Sequence, residues 1–82
     1  MNDTSILEKL TPVIQAVFND NSLTATPELT AGEVRDWDSL NTIRLFFEIQ
    51  RLFSVRFSPT EVTSAKSIGR IVELIQMKTA GQ

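Results

Sequence analysis

The residues best suited to chemistry are Asp38, Ser39 and Leu40, where a long polar stretch meets an apolar, helix-forming one. Asp38 can cap the free amides of a first helical turn, which predicts a helix start and places Ser39 in that turn. A hydroxyl there is exposed, and an anion attached to it meets unpaired amides and the positive end of the helix dipole. Ser39 is therefore well placed to carry a phosphate ester. The alternative is an ordinary first-turn serine beside a capping Asp, which position alone favours.

Missing residue types exclude several other chemistries. The chain contains no Cys and no His, so it offers no thiolate nucleophile or thiolate metal site and lacks the commonest general base. It also lacks the D-x-[DN]-x-[DN]-G pattern of calcium loops. With 82 residues it has room for one domain, 1–82, and a small core. We therefore expect a non-catalytic module without a metal site, which presents something to larger partners.

Charge and hydropathy limit the classes of partner and the cellular location that we expect. The net charge is −2, whereas nucleic-acid binders usually show a dominant basic face. Residues 1–41 carry seven acids and two bases, while residues 42–82 carry three acids and six bases. The longest apolar run, Leu45-Phe46-Phe47, is too short to span a bilayer, and no signal peptide is visible. We expect a cytoplasmic monomer that binds neither nucleic acid nor membranes.

Apolar periodicity predicts an all-α fold, a small four-helix bundle with three main helices and one short helix. Pro12 is expected to kink the first helix without ending it, because the apolar stripe stays in phase across it. Residues 19–37 are rich in turn formers and predict a long loop. Ser58 and Glu61 form a capping box, and Ser67 caps the last helix. The predicted helices cover about residues 4–18, 38–53, 58–63 and 67–78.

The second predicted helix is unusually apolar. Its apolar positions cover about 240° of the helical wheel. Only a narrow strip remains for solvent, formed by Asn41, Arg44, Glu48 and Arg51. We therefore expect neighbours on most sides of this helix, as the central element of the bundle.

The Asp38-Ser39-Leu40 triplet resembles the attachment motif of acyl carrier proteins and of the related peptidyl and D-alanyl carriers. The resemblance covers nearly the whole chain, from the first helix and long loop to the turn at residues 53–59 and the last two helices. It implies that 4′-phosphopantetheine, donated by coenzyme A, is joined to Ser39. The thiol at the end of this phosphopantetheine arm then holds the cargo as a thioester. It also implies that Asp38 helps a phosphopantetheinyl transferase and its metal engage the serine, and that partner enzymes contact Leu40.

The function implied by this resemblance is delivery. A loading enzyme would attach an acyl or aminoacyl group, and a downstream synthase or transferase would use it in fatty-acid-like, polyketide or other secondary-metabolite biosynthesis. A D-alanyl or peptidyl carrier and an unmodified helical adaptor remain open alternatives. A helix-turn-helix DNA binder is disfavoured by the isoelectric point of about 4.9.

Two departures from the family concern partners. Asp36-Trp37 stands where fatty-acid carriers usually have Gly-Ala, and the aromatic residue is similar to the one in stand-alone specialised carriers. We expect Trp37 to pack under the loop, although contact with the phosphopantetheine arm or with a partner is open. Fatty-acid carriers have a strongly acidic second helix, whereas this strip carries two arginines and one glutamate, so we expect poor docking on fatty-acid synthase enzymes. The expected partner contacts are Trp37, Leu40, Asn41, Arg44, Glu48 and Arg51.

A third departure concerns cargo. Carriers that enclose long acyl chains use a cleft beside the second helix, which by this resemblance involves Leu40, Ile43, Phe47, Val62 and Ile68. Four phenylalanines bring much bulk to so small a core, namely Phe46, Phe47, Phe53 and Phe57. We expect little free volume and hence a short or polar cargo; the alternative is that these rings simply fill the bundle.

Overall fold

A computed structural model of the chain describes residues 2–80. Its helices are α1 (Asp3–Val17), α2 (Ser39–Phe53), α3 (Pro59–Ser64) and α4 (Ile68–Thr79). Within the described part there is no strand, and one isolated antiparallel bridge joins Thr30 to Ser67. The predicted helical bundle, with three long helices, one short helix and a long loop after α1, is therefore confirmed.

The helix starts follow from local capping. Asp38, Ser58 and Ser67 each accept a hydrogen bond from the backbone N–H three residues later, as predicted. The capping box is complete, because the Glu61 carboxylate also accepts from the Ser58 N–H at 2.8 Å. Pro12 lies inside α1, which continues through it as a single helix.

The core consists of apolar side chains from the three long helices and the loops. The described chain has no buried polar or charged residue, so its burial is driven by the hydrophobic effect. Helix α1 contributes a stripe of apolar residues at helical spacing, and α4 contributes buried side chains from Ile68 to Ile75. The fully buried helical side chains are Ile6, Leu10, Ile14, Leu45, Ile49, Ile68, Ile71 and Ile75.

The long loop is held against α4 by backbone hydrogen bonds. The N–H groups of Ile68 and Gly69 donate to the carbonyls of Leu29 and Pro27, at 2.8 and 3.1 Å. Gly69 is required for this approach, because a Cβ there would lie 2.8 Å from the Pro27 oxygen. The loop therefore supplies acceptors that the first turn of α4 would otherwise lack.

The same loop is also tied to α1. The Thr11 hydroxyl accepts from the Ala25 N–H at 3.0 Å, and the Gln15 amide donates to the Leu23 carbonyl at 2.9 Å. Ala25 and Val34 are buried within the bundle. A segment with no helix of its own thus lies along a fixed path up to the start of α2.

Helix α2 is less enclosed than its composition predicts. Its buried face consists of Leu45, Phe46, Ile49 and Phe53, whereas Leu40, Ile43, Phe47 and Leu52 are 66%, 55%, 63% and 45% exposed. The expectation of neighbours on most sides is therefore wrong. The physical reason is the size of α3, which packs beside α2 but has six residues and none that is buried.

No helix in the described range 2–80 is long and apolar enough to cross a membrane.

Candidate functional site

The turn that leads into α2 is fixed by its own side chains. The Asp38 carboxylate accepts from the Asn41 N–H at 2.8 Å, and the Asp38 carbonyl accepts from the Thr42 hydroxyl at 2.7 Å. The Asn41 side-chain amide donates back to the Asp36 carbonyl at 2.8 Å. These bonds hold the backbone on both sides of Ser39 in one conformation.

The Ser39 side chain is exposed to solvent. In the part of the chain that the structure describes, its hydroxyl makes no hydrogen bond to protein. The backbone N–H groups of Ser39 and Leu40 likewise have no protein acceptor there. Unpaired amides in a first helical turn, together with the positive end of the helix dipole, favour an anion at this point. The residues present therefore fit a phosphate ester on Ser39.

Trp37 anchors the loop just before this turn. The indole is 8% exposed, and its ring centroid lies 5.5 Å from that of Phe18 at the end of α1. The backbone N–H of Trp37 donates to the Val34 carbonyl at 3.2 Å. The prediction that Trp37 packs under the loop is confirmed, while its role as a partner contact stays a prediction.

A cleft of about 300 Å³ with both polar and apolar lining opens beside Ser39. One wall is the start of α2, where Thr42 lies, and the other is the region of α3 and the α3–α4 connection. Sequence reasoning missed Thr42, Thr63 and Lys66 in this lining. No local pattern marks them, because the cleft brings together residues that are far apart in sequence.

A second depression, of about 350 Å³ and mostly apolar, continues from this cleft between α2 and α3. Three of the five predicted cargo-cleft residues line it, namely Ile43, Phe47 and Val62. The other two do not: Leu40 is exposed on the outer side of α2, and Ile68 is fully buried in the core.

The four phenylalanines expected to fill the core do so only in part. Phe46 and Phe53 are buried, Phe57 is half-buried, and Phe47 is 63% exposed. The rings of Phe46 and Phe57 meet edge to face with centroids 4.8 Å apart. This pair lies at the base of the apolar depression.

The exposed strip of α2 contains the predicted charged residues. Glu48 and Arg51 form an ion pair at 3.4 Å, which is worth little at such an exposed site. Asn41 is half-buried and bound to the loop, so it lies at the edge of this strip. Leu40, predicted as a partner contact, is exposed beside these charges, but sequence reasoning missed that Phe47 is exposed there too. The signal was present, because Phe47 lies at helical spacing from both Arg44 and Arg51.

An ion pair joins helix α3 to α4, and its lysine also lies over an aromatic ring. Lys78 Nζ lies 3.0 Å from Glu61 Oε1 and 5.1 Å from the centre of the Phe57 ring. The Ser58 N–H and, next, the Lys78 ammonium lower the pKa of Glu61 from its ordinary value. This contact stabilises the wall opposite α2 across the apolar depression.

The four-helix fold is similar to that of carrier proteins of known structure and sequence. The chain is 31% identical to the holo acyl carrier protein from Geobacter metallireducens solved by NMR, with a TM-score of 0.83, covering 92% of this chain and 86% of that one. It is 29% identical to acyl carrier protein 2 of Ralstonia nicotianae over 93% of this chain and 94% of that protein. It is 25% identical to an acyl carrier protein of Thermosynechococcus vestitus, covering 98% of this chain and 99% of that protein.

No protein-family model matches this sequence. The likeness in sequence and in structure nevertheless extends over almost the full length of the chain. The chain therefore belongs to the acyl carrier protein family.

Proposed function

We propose that this protein carries an acyl or aminoacyl group on 4′-phosphopantetheine attached to Ser39 and delivers it to partner enzymes. The observation that carries the proposal is the exposed Ser39 hydroxyl at the start of α2, next to two backbone amides without a protein acceptor in the described chain. When bound, the group supplies a thiol on a long arm, which this Cys-free chain lacks, and holds the cargo as a thioester.

The chain's own residues present and stabilise the attachment point. Asp38 fixes the first turn of α2 through its cap, so the Ser39 hydroxyl has a defined position for a phosphopantetheinyl transferase. The Ser39 and Leu40 amides and the helix dipole stabilise the negative charge of a phosphodiester. Trp37 packs on Phe18 and so anchors the loop just before the Ser39 turn.

The proposed cargo is short or polar. The cleft beside Ser39 and the apolar depression next to it are both open to solvent and small, at about 300 and 350 Å³. A long chain that entered the core between α2 and α3 would have to separate the Phe46 and Phe57 rings. Such a rearrangement of a packed core costs about 1–3 kcal/mol.

The proposed partners are a phosphopantetheinyl transferase, a loading enzyme, and a downstream synthase or transferase in fatty-acid-like, polyketide or other secondary-metabolite biosynthesis. The chain itself takes no catalytic role in this scheme. The D-alanyl or peptidyl alternative differs in the cargo and in the enzymes that load and use it. The cytoplasmic location and the monomeric state stay predictions.

Intact-protein mass spectrometry tests the attachment. The protein is incubated with coenzyme A, magnesium and a broad-specificity phosphopantetheinyl transferase, alongside Ser39→Ala and the matched variant Ser64→Ala. We expect one phosphopantetheinyl group on the unaltered chain and on Ser64→Ala, and none on Ser39→Ala. Modification that persists in Ser39→Ala, or no modification by transferases that modify two unrelated carriers, would contradict the proposal.

A further inference from the structure

One side of α2 combines exposed apolar side chains with arginines, and we call it the arginine–phenylalanine face. Its apolar members Leu40, Ile43 and Phe47 are all more than half exposed and follow one another at helical spacing from Ser39. Arg44 and Arg51 lie on the same side of the helix, and Arg56 follows in the next loop. Contiguous apolar surface on a small domain marks an interaction site.

Phe47 is the centre of this face because a groove lies on each side of it. The groove toward α1, about 430 Å³, is lined by Val13, Val17, Glu48 and the two helical arginines. The opposite side is the apolar depression toward α3 described above, and Phe47 lines that as well. The phenyl ring therefore forms a ridge between two hollows, a shape that fits a socket on a partner.

The charges around the ridge are predominantly positive. Arg51 is paired with Glu48 at 3.4 Å, whereas Arg44 and Arg56 form no ion pair with any residue in the range 2–80. Arg51 and Arg56 also line a third hollow next to Phe47. The acids Asp36 and Asp38 precede α2, at the far end of the face. Three cations against one anion around Phe47 call for carboxylates on the opposing surface.

We infer that the arginine–phenylalanine face docks on an enzyme surface in which an apolar socket for Phe47 is surrounded by Asp and Glu side chains. This inference rests on the proposed function, because docking there sets the Ser39 end of α2 against the partner. Aromatic and arginine side chains are the residue types that dominate binding energy in protein interfaces. The charge is the reverse of that implied for fatty-acid carriers, whose acidic second helix meets basic enzyme patches.

A charge-reversal titration tests this inference on the unmodified chain, so its result does not depend on attachment to Ser39. The isotope-labelled protein is titrated with a fatty-acid ketosynthase that has a basic carrier-docking patch, and with the same enzyme after its docking Lys and Arg residues are changed to Glu. We expect the acidic version to bind about tenfold more tightly, with affinity falling as salt rises. The NMR shifts should centre on Phe47 and Arg44.

Matched variants locate the contact. Arg44→Glu and Phe47→Ala should each weaken binding to the acidic enzyme about tenfold. Arg70→Glu and Met77→Ala, which change an exposed Arg and an exposed apolar residue on α4, should leave it unchanged. Circular dichroism of each variant confirms that it is folded.

Several outcomes would overturn the inference. Equal binding to both enzymes, tighter binding to the basic one, or no binding to either contradicts the charge argument. Shifts that map to α4, or an equal loss with Arg70→Glu, contradict the location. Concentration-dependent dimerisation abolished by Phe47→Ala would assign the face to a second copy of this chain. Binding to phosphatidylglycerol vesicles in place of the acidic enzyme would assign it to a lipid surface.

Discussion

Helices α2 and α4 begin with the same kind of cap, but the hydrogen bonding of their first backbone amides differs. In both, a polar side chain caps the helix, Asp38 in α2 and Ser67 in α4. In α4 the first two amides, of Ile68 and Gly69, donate to loop carbonyls. In α2 the equivalent amides, of Ser39 and Leu40, have no protein acceptor in the described chain. One helix start is completed by the protein itself, and the other is where we propose that phosphopantetheine is attached.

The difference comes from the path of the loop and not from the caps. The loop passes close enough to α4 for Pro27 and Leu29 to act as acceptors, and Gly69 allows that approach. Further along, Trp37 packs on Phe18 at the end of α1, and the Asp36 carbonyl accepts from the Asn41 side-chain amide, so this part of the loop leaves the first amides of α2 without an acceptor. A helix start becomes a site when nothing else satisfies its amides.

The largest expected effect comes from making the α4 start resemble the open one. Gly69→Ala places a Cβ 2.8 Å from the Pro27 oxygen, which forces the loop off α4. We expect a loss of about 2 kcal/mol in the free energy of unfolding, measured by urea denaturation. Gly32→Ala is the control, because its Cβ meets nothing nearer than 4.0 Å. Equal stability of the two variants would show that the loop contact is dispensable.

Removing the two caps separates stability from function. Asp38→Ala and Ser67→Ala each delete one capping hydrogen bond, and each should cost about 1 kcal/mol. Only Asp38→Ala should also slow modification of Ser39 by the transferase, because the Ser39 turn loses its fixed geometry. Modification rates by mass spectrometry and thermal melts of the same samples give both readouts. A similar slowing in Ser67→Ala would contradict the distinction.

A fixed negative charge at the open helix start tests its electrostatics. Ser39→Asp puts a carboxylate in the first turn of α2 and should stabilise the protein by about 0.5 kcal/mol at low salt. Ser54→Asp makes the same change at the other end of the same helix and should give no such gain. Chemical denaturation at low and high salt measures both. A gain in Ser39→Asp that salt does not reduce would count against a dipole effect.

The smallest expected effect is a pH dependence of stability that arises at α3, where the capping box pairs backbone amides at the start of the helix. The lowered pKa of Glu61 means that its stabilisation is present above the ordinary value of 4.5 and is lost as the pH falls through the lower folded value. Glu61→Gln should therefore flatten the acid side of the melting-temperature profile. Lys78→Met removes the second cause and should flatten it in part. An unchanged profile in Glu61→Gln would refute this assignment.

Local sequence features predicted the parts of the fold that local physics determines. The caps at Asp38, Ser58 and Ser67 are read from side chains within one helical turn, and α1 from its apolar period. The exposed position of Ser39 follows from the same local rules.

Long-range packing determined the rest. The hydrogen bonds from α4 to Pro27 and Leu29 join distant parts of the chain and leave no periodic signal. The exposure of Phe47 depends on how far a six-residue helix reaches across α2, which composition does not reveal. The Ser39 cleft residues Thr63 and Lys66 were missed for the same reason.

The packing of Trp37 on Phe18 has an optical consequence. Trp37 is the sole tryptophan of a chain that contains no tyrosine, so nearly all of its ultraviolet emission comes from one ring beside Ser39. That ring is buried and packed against Phe18. Any event that draws the loop away from α1 would bring water to the indole and move its emission to longer wavelength. The protein thus carries a label-free fluorophore two residues before the serine at which we propose attachment.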